Sequence, residues 1–223
     1  MSNGYLRAVR TTAVVVGALL ICGIIGPALG QGLEFEFLGT VSSDMSDPAN
    51  YAGGVFPTRD DWVSINNTSG LLTNTPPVDP IRAVRIGYDA GSTGVMTVGS
   101  NGFWRVTEHT SWDSHIGSSG NGTLNIEEGA DLSLNFFEVG RNPGSLGTIN
   151  VTGGVLTGSR GSRKAGYSVH IGANDNTAVA GTGIVEISGG IFRCRSGLEL
   201  GSPTGTGTGT FSVVGSGPAL IDI

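Results

Sequence analysis

A five-fold internal repeat constrains this chain more than any other feature of it. The repeat runs from an aliphatic residue and a glycine through a loop to a second glycine, which opens an alternating apolar strand. A glycine turn and another short strand complete the unit. The aliphatic-glycine marks are Ile86-Gly87, Ile116-Gly117, Val139-Gly140, Ile171-Gly172 and Leu200-Gly201, spaced by 30, 23, 32 and 29 residues. The strands that follow begin at Gly94, Gly122, Gly147, Gly183 and Gly209. A period of this length, with strands and turns but no helical periodicity, specifies an all-β solenoid, a parallel β-helix in which each repeat is one coil. A propeller blade needs about 40 residues and four strands, and an immunoglobulin-like sandwich does not repeat one tripartite unit. Strand alternation assigns Met96, Val98, Leu124, Ile126, Ile149, Val151, Val185, Ile187, Phe211 and Val213 to the core.

Composition narrows the class. Glycine supplies 39 of 223 residues, yet it has no three-residue register, so collagen is excluded. Glycine pairs such as Gly153-Gly154 and Gly189-Gly190 are expected at sharp or bulged turns between strands. Arg7 and Arg10 precede an apolar run from Thr12 to Ile25, and Ala28 and Gly30 stand at the minus-three and minus-one positions of a cleavage site, so residues 1–30 read as a secretory signal peptide. The chain is expected to meet the membrane only during export through the general secretory pathway. Export removes two arginines and no acid, taking the formal charge from −6 to −8, which argues against nucleic acid as a partner. Ile21 precedes Cys22 where a lipidation motif needs a small residue, so lipidation is not expected. Cys194 is then the lone mature cysteine, expected to be a buried, inert thiol.

Residues 31–82 differ in texture, with Asp47-Pro48, Phe56-Pro57 and Pro76-Pro77, and read as an N-terminal cap over the end of the solenoid. Residues 83–223 read as about five coils. The last segment, Ala219 to Ile223, has the pattern of mid-strand, so the C-terminal edge is expected to pair with further coils or another chain.

The opening Asn50-Tyr51, Pro57 and Asp60 to Ile65, together with the Gly-Thr-Leu-Asn-Ile (122–126) and Gly-Thr-Ile-Asn-Val-Thr-Gly-Gly (147–154) strings, resembles the secreted β-helix repeat proteins associated with bacterial PEP-CTERM sorting and type V (autotransporter) passengers. The resemblance covers roughly residues 44–223. It implies a right-handed β-helix on a bacterial exterior and no assigned catalytic residues. The Pro-Glu-Pro sorting tail and the outer-membrane barrel of those groups are not found in this sequence.

Two groups of side chains carry candidate chemistry. The residue before each aliphatic-glycine mark forms a column reading Arg85, His115, Glu138, His170, Glu199. His115, Glu138, His170 and Glu199 offer metal-ligand types; the alternative is a solvated ladder that avoids stacking like charges. Glutamate beside histidine is expected to raise the histidine pKa values. Separately, Arg160, Arg163 and Lys164 in one long loop, with Arg193 and Arg195 one repeat later, suit an anionic polysaccharide. Loops near 157–169 and 172–182 vary most in length and are the expected binding side. Trp104 and Trp112, with Phe103, either stack on sugar rings or plug the core. Glu127, Glu128, Asp131 and Glu138 are the acids a glycoside hydrolase would draw on, and Asn174-Asp175-Asn176 is a thin calcium ligand set. No nucleophile elbow, P-loop or dinucleotide fingerprint occurs, and no cofactor is expected. The reading is an exported, cell-surface or extracellular, structural or adhesive β-helix protein without catalytic activity of its own, whose partner is a polysaccharide or surface glycan. The alternative is a polysaccharide lyase or glycoside hydrolase on the same fold.

Overall fold

Parallel strands stack coil upon coil along the chain. The computed structural model describes residues 32–73, 81–106, 113–159, 166–174, 179–202, 205–215 and 217–223. After β1 (Glu34–Glu36), the first coil contributes β2 (Trp62–Ile65) and β3 (Ser69–Leu72). The second has β4 (Ala83–Ile86), β5 (Thr93–Val98) and β6 (Phe103–Arg105), and the third has β7 (Ser114–Ile116), β8 (Asn121–Ile126) and β9 (Asp131–Leu134). The fourth pairs β10 (Phe137–Val139) with a long β11 (Leu146–Gly158), and the fifth pairs β12 (Val169–Ile171) with a long β13 (Thr182–Cys194). The sixth has β14 (Leu198–Leu200), β15 (Thr208–Val213) and β16 (Ala219–Asp222). The described residues thus form a parallel β-solenoid of about six turns.

The second to sixth coils each show three faces. The first is the seven-stranded sheet β1-β2-β4-β7-β10-β12-β14, and the second runs β3-β5-β8-β11-β13-β15. The third is β6, β9, the end of β11, the end of β13 and β16. Strands β11 and β13 turn the corner between the second and third faces without a break, and their pairing shifts register between Val151 and Val155, beside Gly153 and Gly154. An extra residue at such a point bends a strand sharply.

The stacking register follows the sequence marks. Ile86, Ile116, Val139, Ile171 and Leu200 pair in succession, so repeats of unequal length still align because loops absorb the difference. Met96, Val98, Leu124, Ile126, Ile149, Val151, Val185 and Ile187 are all buried. Phe211 is only partly buried and Val213 is 55% exposed; both lie on β15, the edge strand of its sheet. Outward residues of the second face also stack: Asn150 Nδ2 donates to Asn125 Oδ1 (2.9 Å), and Asn125 Nδ2 donates to Thr97 Oγ1 (3.2 Å). Identical amides one strand apart can each donate and accept, and so continue such a ladder.

Residues 31–82 hold both a cap and coil strands. Between β1 and β2 the chain folds over the N-terminal end of the core, burying Phe37, Met45, Tyr51 and Phe56. Rings of Phe37, Tyr51 and Phe56 meet edge to face, with centroids 5.4 and 5.3 Å apart. Asn50, fully buried, holds the loop. Its Oδ1 accepts from Val41 N and Ser42 N, and its Nδ2 donates to Ser42 Oγ and to the Asp44 carbonyl. Met45 N donates to Leu71 O and Leu71 N to Ser43 O, so the cap occupies the open edge of β3, as a solenoid end requires. Strands β2 and β3, in contrast, pair with β4 and β5 as ordinary coil strands. The solenoid therefore begins before residue 83.

Candidate functional site

The charged column of the first face is realised in full. Arg85 pairs with His115, His115 with Glu138, Glu138 with His170, and His170 with Glu199. It is not solvated, however: Arg85 and His115 are 6% and 5% exposed, and Glu138 and His170 are fully buried. Aromatic side chains cover it. The Arg85 guanidinium lies 4.7 Å from the Trp62 ring and 4.4 Å from that of Tyr88, and Tyr88 stacks on His115 at 5.8 Å. Phe136 and Tyr167 meet His170 edge-on, at 4.9 and 5.8 Å.

Inside this cover the groups settle as two pairs. His115 Nε2 is 3.1 Å from Glu138 Oε2, which Arg141 Nε also approaches at 2.5 Å. His170 Nε2 is 3.3 Å from Glu199 Oε2. The expected four-residue metal set is thus divided, while Asp113 joins His115 and Glu138 so that one ligand atom from each lies within 4.8 Å of the others. Arg141 already supplies a cation to Glu138, and Arg85 adds positive charge beside His115, so a divalent ion there would meet two guanidinium groups. Electrostatics favours the ion-pair network.

The expected rise in histidine pKa is corrected at His115, where the value falls below the ordinary 6.5. Burial is the main cause, since it penalises the imidazolium, and Arg141 and Arg85 add repulsion; the Glu138 contact opposes them only in part. The unfolded chain then takes up a proton that the folded one refuses. The contribution to stability is complete above the unfolded pKa near 6.5 and is lost as pH falls below it, by up to about 1.4 kcal/mol per pH unit. Urea midpoints measured from pH 7.5 to 5 are expected to fall, and His115→Gln is expected to flatten that slope. A slope unchanged by the substitution would place the titration elsewhere.

The third face carries the second candidate. Arg105, Ser133, Thr157, Arg193 and Asp222 form one outward row across β6, β9, β11, β13 and β16. The first four of these, with Val106, Asp131, Val155, Ser159 and Arg195, line a groove of about 340 Å³. Arg193 Nε is 3.7 Å from Asp222 Oδ2, with both side chains substantially exposed. Arg105 lies 4.8 Å from the Phe103 ring. Two of the expected basic residues, Arg193 and Arg195, therefore share a groove, and Arg105 joins them. Arg160, Arg163, Lys164, Trp112 and Asp175 lie outside the described residues. Arg105 carries no sequence mark, because the third-face strands are short and lack the glycine signature; its position two residues after Phe103, like Arg193 after Ile191, is the signal that could have found it. A larger groove of about 580 Å³ at the corner of the last coils is walled by Gly153, Gly189, Gly190 and Gly217, with Glu128 as its ionisable group. It offers backbone and little side-chain chemistry.

Trp104 is fully buried in the core beneath β6, where it can stack on no sugar. Cys194 is 2% exposed, and burial pushes its thiol up to about 11, partly offset by a hydrogen bond with Ser168. Such a thiol is inert at neutral pH.

Comparison with known proteins adds one relative. An uncharacterized lipoprotein, YdeK, of Escherichia coli (strain K12) is 28% identical over 154 residues, which are 66% of this chain and 11% of that protein. The chain thus spans about a tenth of the length of the curated relative it matches. No family model matches the chain, and no solved structure does.

Proposed function

We propose that this chain is an exported, surface-associated β-solenoid that works by adhesion, holding a surface or extracellular glycan in the third-face groove without turning it over. The observation that carries this reading is the groove itself: arginines and hydroxyls from neighbouring coils face outward in one register row. Strand pairing fixes the backbone positions of Arg105 and Arg193, so binding has to order their side chains but not the segments that carry them. The similarity to a lipoprotein supports a location at the cell envelope, as does the signal-like N-terminal pattern. The resemblance to PEP-CTERM-associated and autotransporter repeat proteins belongs to the same reading.

The groove's lining speaks against hydrolysis there: Asp131 is its one carboxylate among the described residues, where a glycosidase needs two, and Glu138 is fully buried elsewhere. Asp131 and the Asp222 strand are three pairing steps apart, through Val155 and Ile191 to Leu220. That is about 14 Å at the usual strand separation, whereas glycosidase carboxylates stand about 5 to 9.5 Å apart. The test is expression of the whole chain in an export-competent bacterium. Protease applied to intact cells is expected to degrade the protein, and the purified protein is expected to retain polysaccharides on a glycan array while releasing no reducing ends or unsaturated sugars. Products would establish the enzyme; protection from protease together with silence on the array would end the adhesive reading.

A further inference from the structure

We infer that the third-face groove takes a linear polyanion lengthwise, with carboxylate or sulfate groups on one glycan chain engaging Arg105 at one end and Arg193 and Arg195 at the other. The inference rests on the adhesive reading and names its ligand class. Charge is the first ground. The chain has a formal charge of −6, yet the groove gathers three guanidinium groups against one lining carboxylate, Asp131. Among the described residues Arg105 and Arg195 form no ion pair, and Arg193 has only the long, solvent-exposed contact with Asp222. A cleft whose lining carries an excess of one sign of charge concentrates ligands of the opposite sign.

Geometry is the second ground. From Arg105 the row passes through Ser133 and Thr157 to Arg193, three strand steps, or about 14 Å. Arg195, two residues beyond Arg193, lines the same end. Guanidinium groups bind carboxylate and sulfate through paired N–H donors, and between the two ends the groove is lined by Ser133, by Ser159, whose hydroxyl donates to Leu134 O, and by Thr157, which is largely buried. A single exposed charge pair contributes too little to hold a monoanion. One chain that bridges both ends gains through effective concentration, typically 10²–10⁴-fold. Affinity should therefore depend on ligand length, with a threshold where the chain first spans the groove.

The experiment is calorimetric titration of the purified protein with mono-, di- and hexagalacturonate, a heparin hexasaccharide, neutral cellohexaose and single-stranded DNA. Hexagalacturonate or the heparin hexasaccharide is expected to bind at least ~10-fold tighter than digalacturonate, and added salt is expected to weaken it. Arg105→Ala alone, and Arg193→Ala with Arg195→Ala, are each expected to reduce hexamer affinity about 10-fold, toward the digalacturonate value. These side chains are exposed or half-exposed, and circular dichroism checks that the variants stay folded. Equal affinity for mono- and hexagalacturonate, or variants that bind like the parent, would overturn the inference. Binding of cellohexaose as tight as that of the acidic hexamers would overturn it and leave the adhesive reading standing, whereas no binding to any of the glycans would remove both. Tighter binding of DNA than of the acidic hexamers would also overturn it.

Discussion

Gly140→Ala should destabilise this protein by ~4 kcal/mol or more, while Gly144→Ala, only four residues away, should cost about 1 kcal/mol. Both glycines have left-handed backbone, with φ of +69° and +80°. Alanine at either position meets the same conformational penalty, which makes Gly144 the control. The two differ in what lies above them. A Cβ on Gly144 would enter open space, whereas on Gly140 it would overlap the Thr182 carbonyl and the Gly183 nitrogen of the next coil. Backbone cannot yield as a side-chain tip can. The fourth and fifth coils would have to part, and with them the hydrogen bonds from Gly172 N to Val139 O and from Gly181 N to Gly140 O. Gly87, Gly117 and Gly172 stand in the same relation to the coil that follows each, so the penalty belongs to the stacking geometry and not to one loop. A loss of this size approaches the whole stability of an ordinary domain, about 5–15 kcal/mol. Urea unfolding followed by circular dichroism measures both variants, and equal midpoints would show that the coils do not press on these glycines.

The same close approach explains why so much of the fold was legible. The second to fifth coils leave no room for a Cβ at one corner, at Gly87, Gly117, Gly140 and Gly172, so glycine recurs beside an aliphatic residue and marks the register directly. Where another residue satisfies the corner, the signal disappears. Ile65 pairs with Ile86, which puts Asn66 where later coils have glycine, so the first coil lacks the glycine mark. Asn66 Oδ1 accepts from Tyr88 N and from Ser92 Oγ, and its Nδ2 donates to Asp89, so a buried side chain ties together what glycine elsewhere leaves to backbone.

Legibility of the candidate sites follows the same division. Periodicity fixed which residues stack, and the Arg85-His115-Glu138-His170-Glu199 column formed as read. What period cannot carry is the identity of whatever folds over a column's outer side. Here that is Trp62, Tyr88, Phe136 and Tyr167, and their presence turns a surface ladder into a buried one and reverses the direction of the His115 shift. In the groove, Arg193 and Arg195 were legible as basic residues flanking Cys194. Arg105 was not, because it joins them only through the pairing of β6 with β9 and of β9 with β11.

Trp104→Ala should cost about 4 kcal/mol, and Trp104→Phe about 1 kcal/mol or less. Trp104 is among the largest fully buried side chains, packed in the single core cluster that runs from Phe37 to Cys194. Its strand neighbour in the next coil is Leu132, itself fully buried. Truncation to alanine removes nearly the whole indole from between stacked layers that backbone pairing holds at fixed separation, so the cavity cannot collapse, and large aromatic deletions of this kind cost about 3–5 kcal/mol. Phenylalanine keeps most of the apolar contact. It also removes the indole Nε1–H, which has no hydrogen-bond acceptor among the described residues; burying such a donor unpaired costs about 1–3 kcal/mol, and its removal offsets much of the lost area. The measurement separates the two roles that an aromatic residue near a glycan site can have. A core tryptophan predicts a large fall in urea midpoint for Trp104→Ala, near-parental stability for Trp104→Phe, and unchanged affinity of the phenylalanine variant for acidic hexasaccharides. A sugar-stacking tryptophan predicts the reverse for alanine, with stability kept and affinity lost, and that outcome would require β6 to present its other face to solvent.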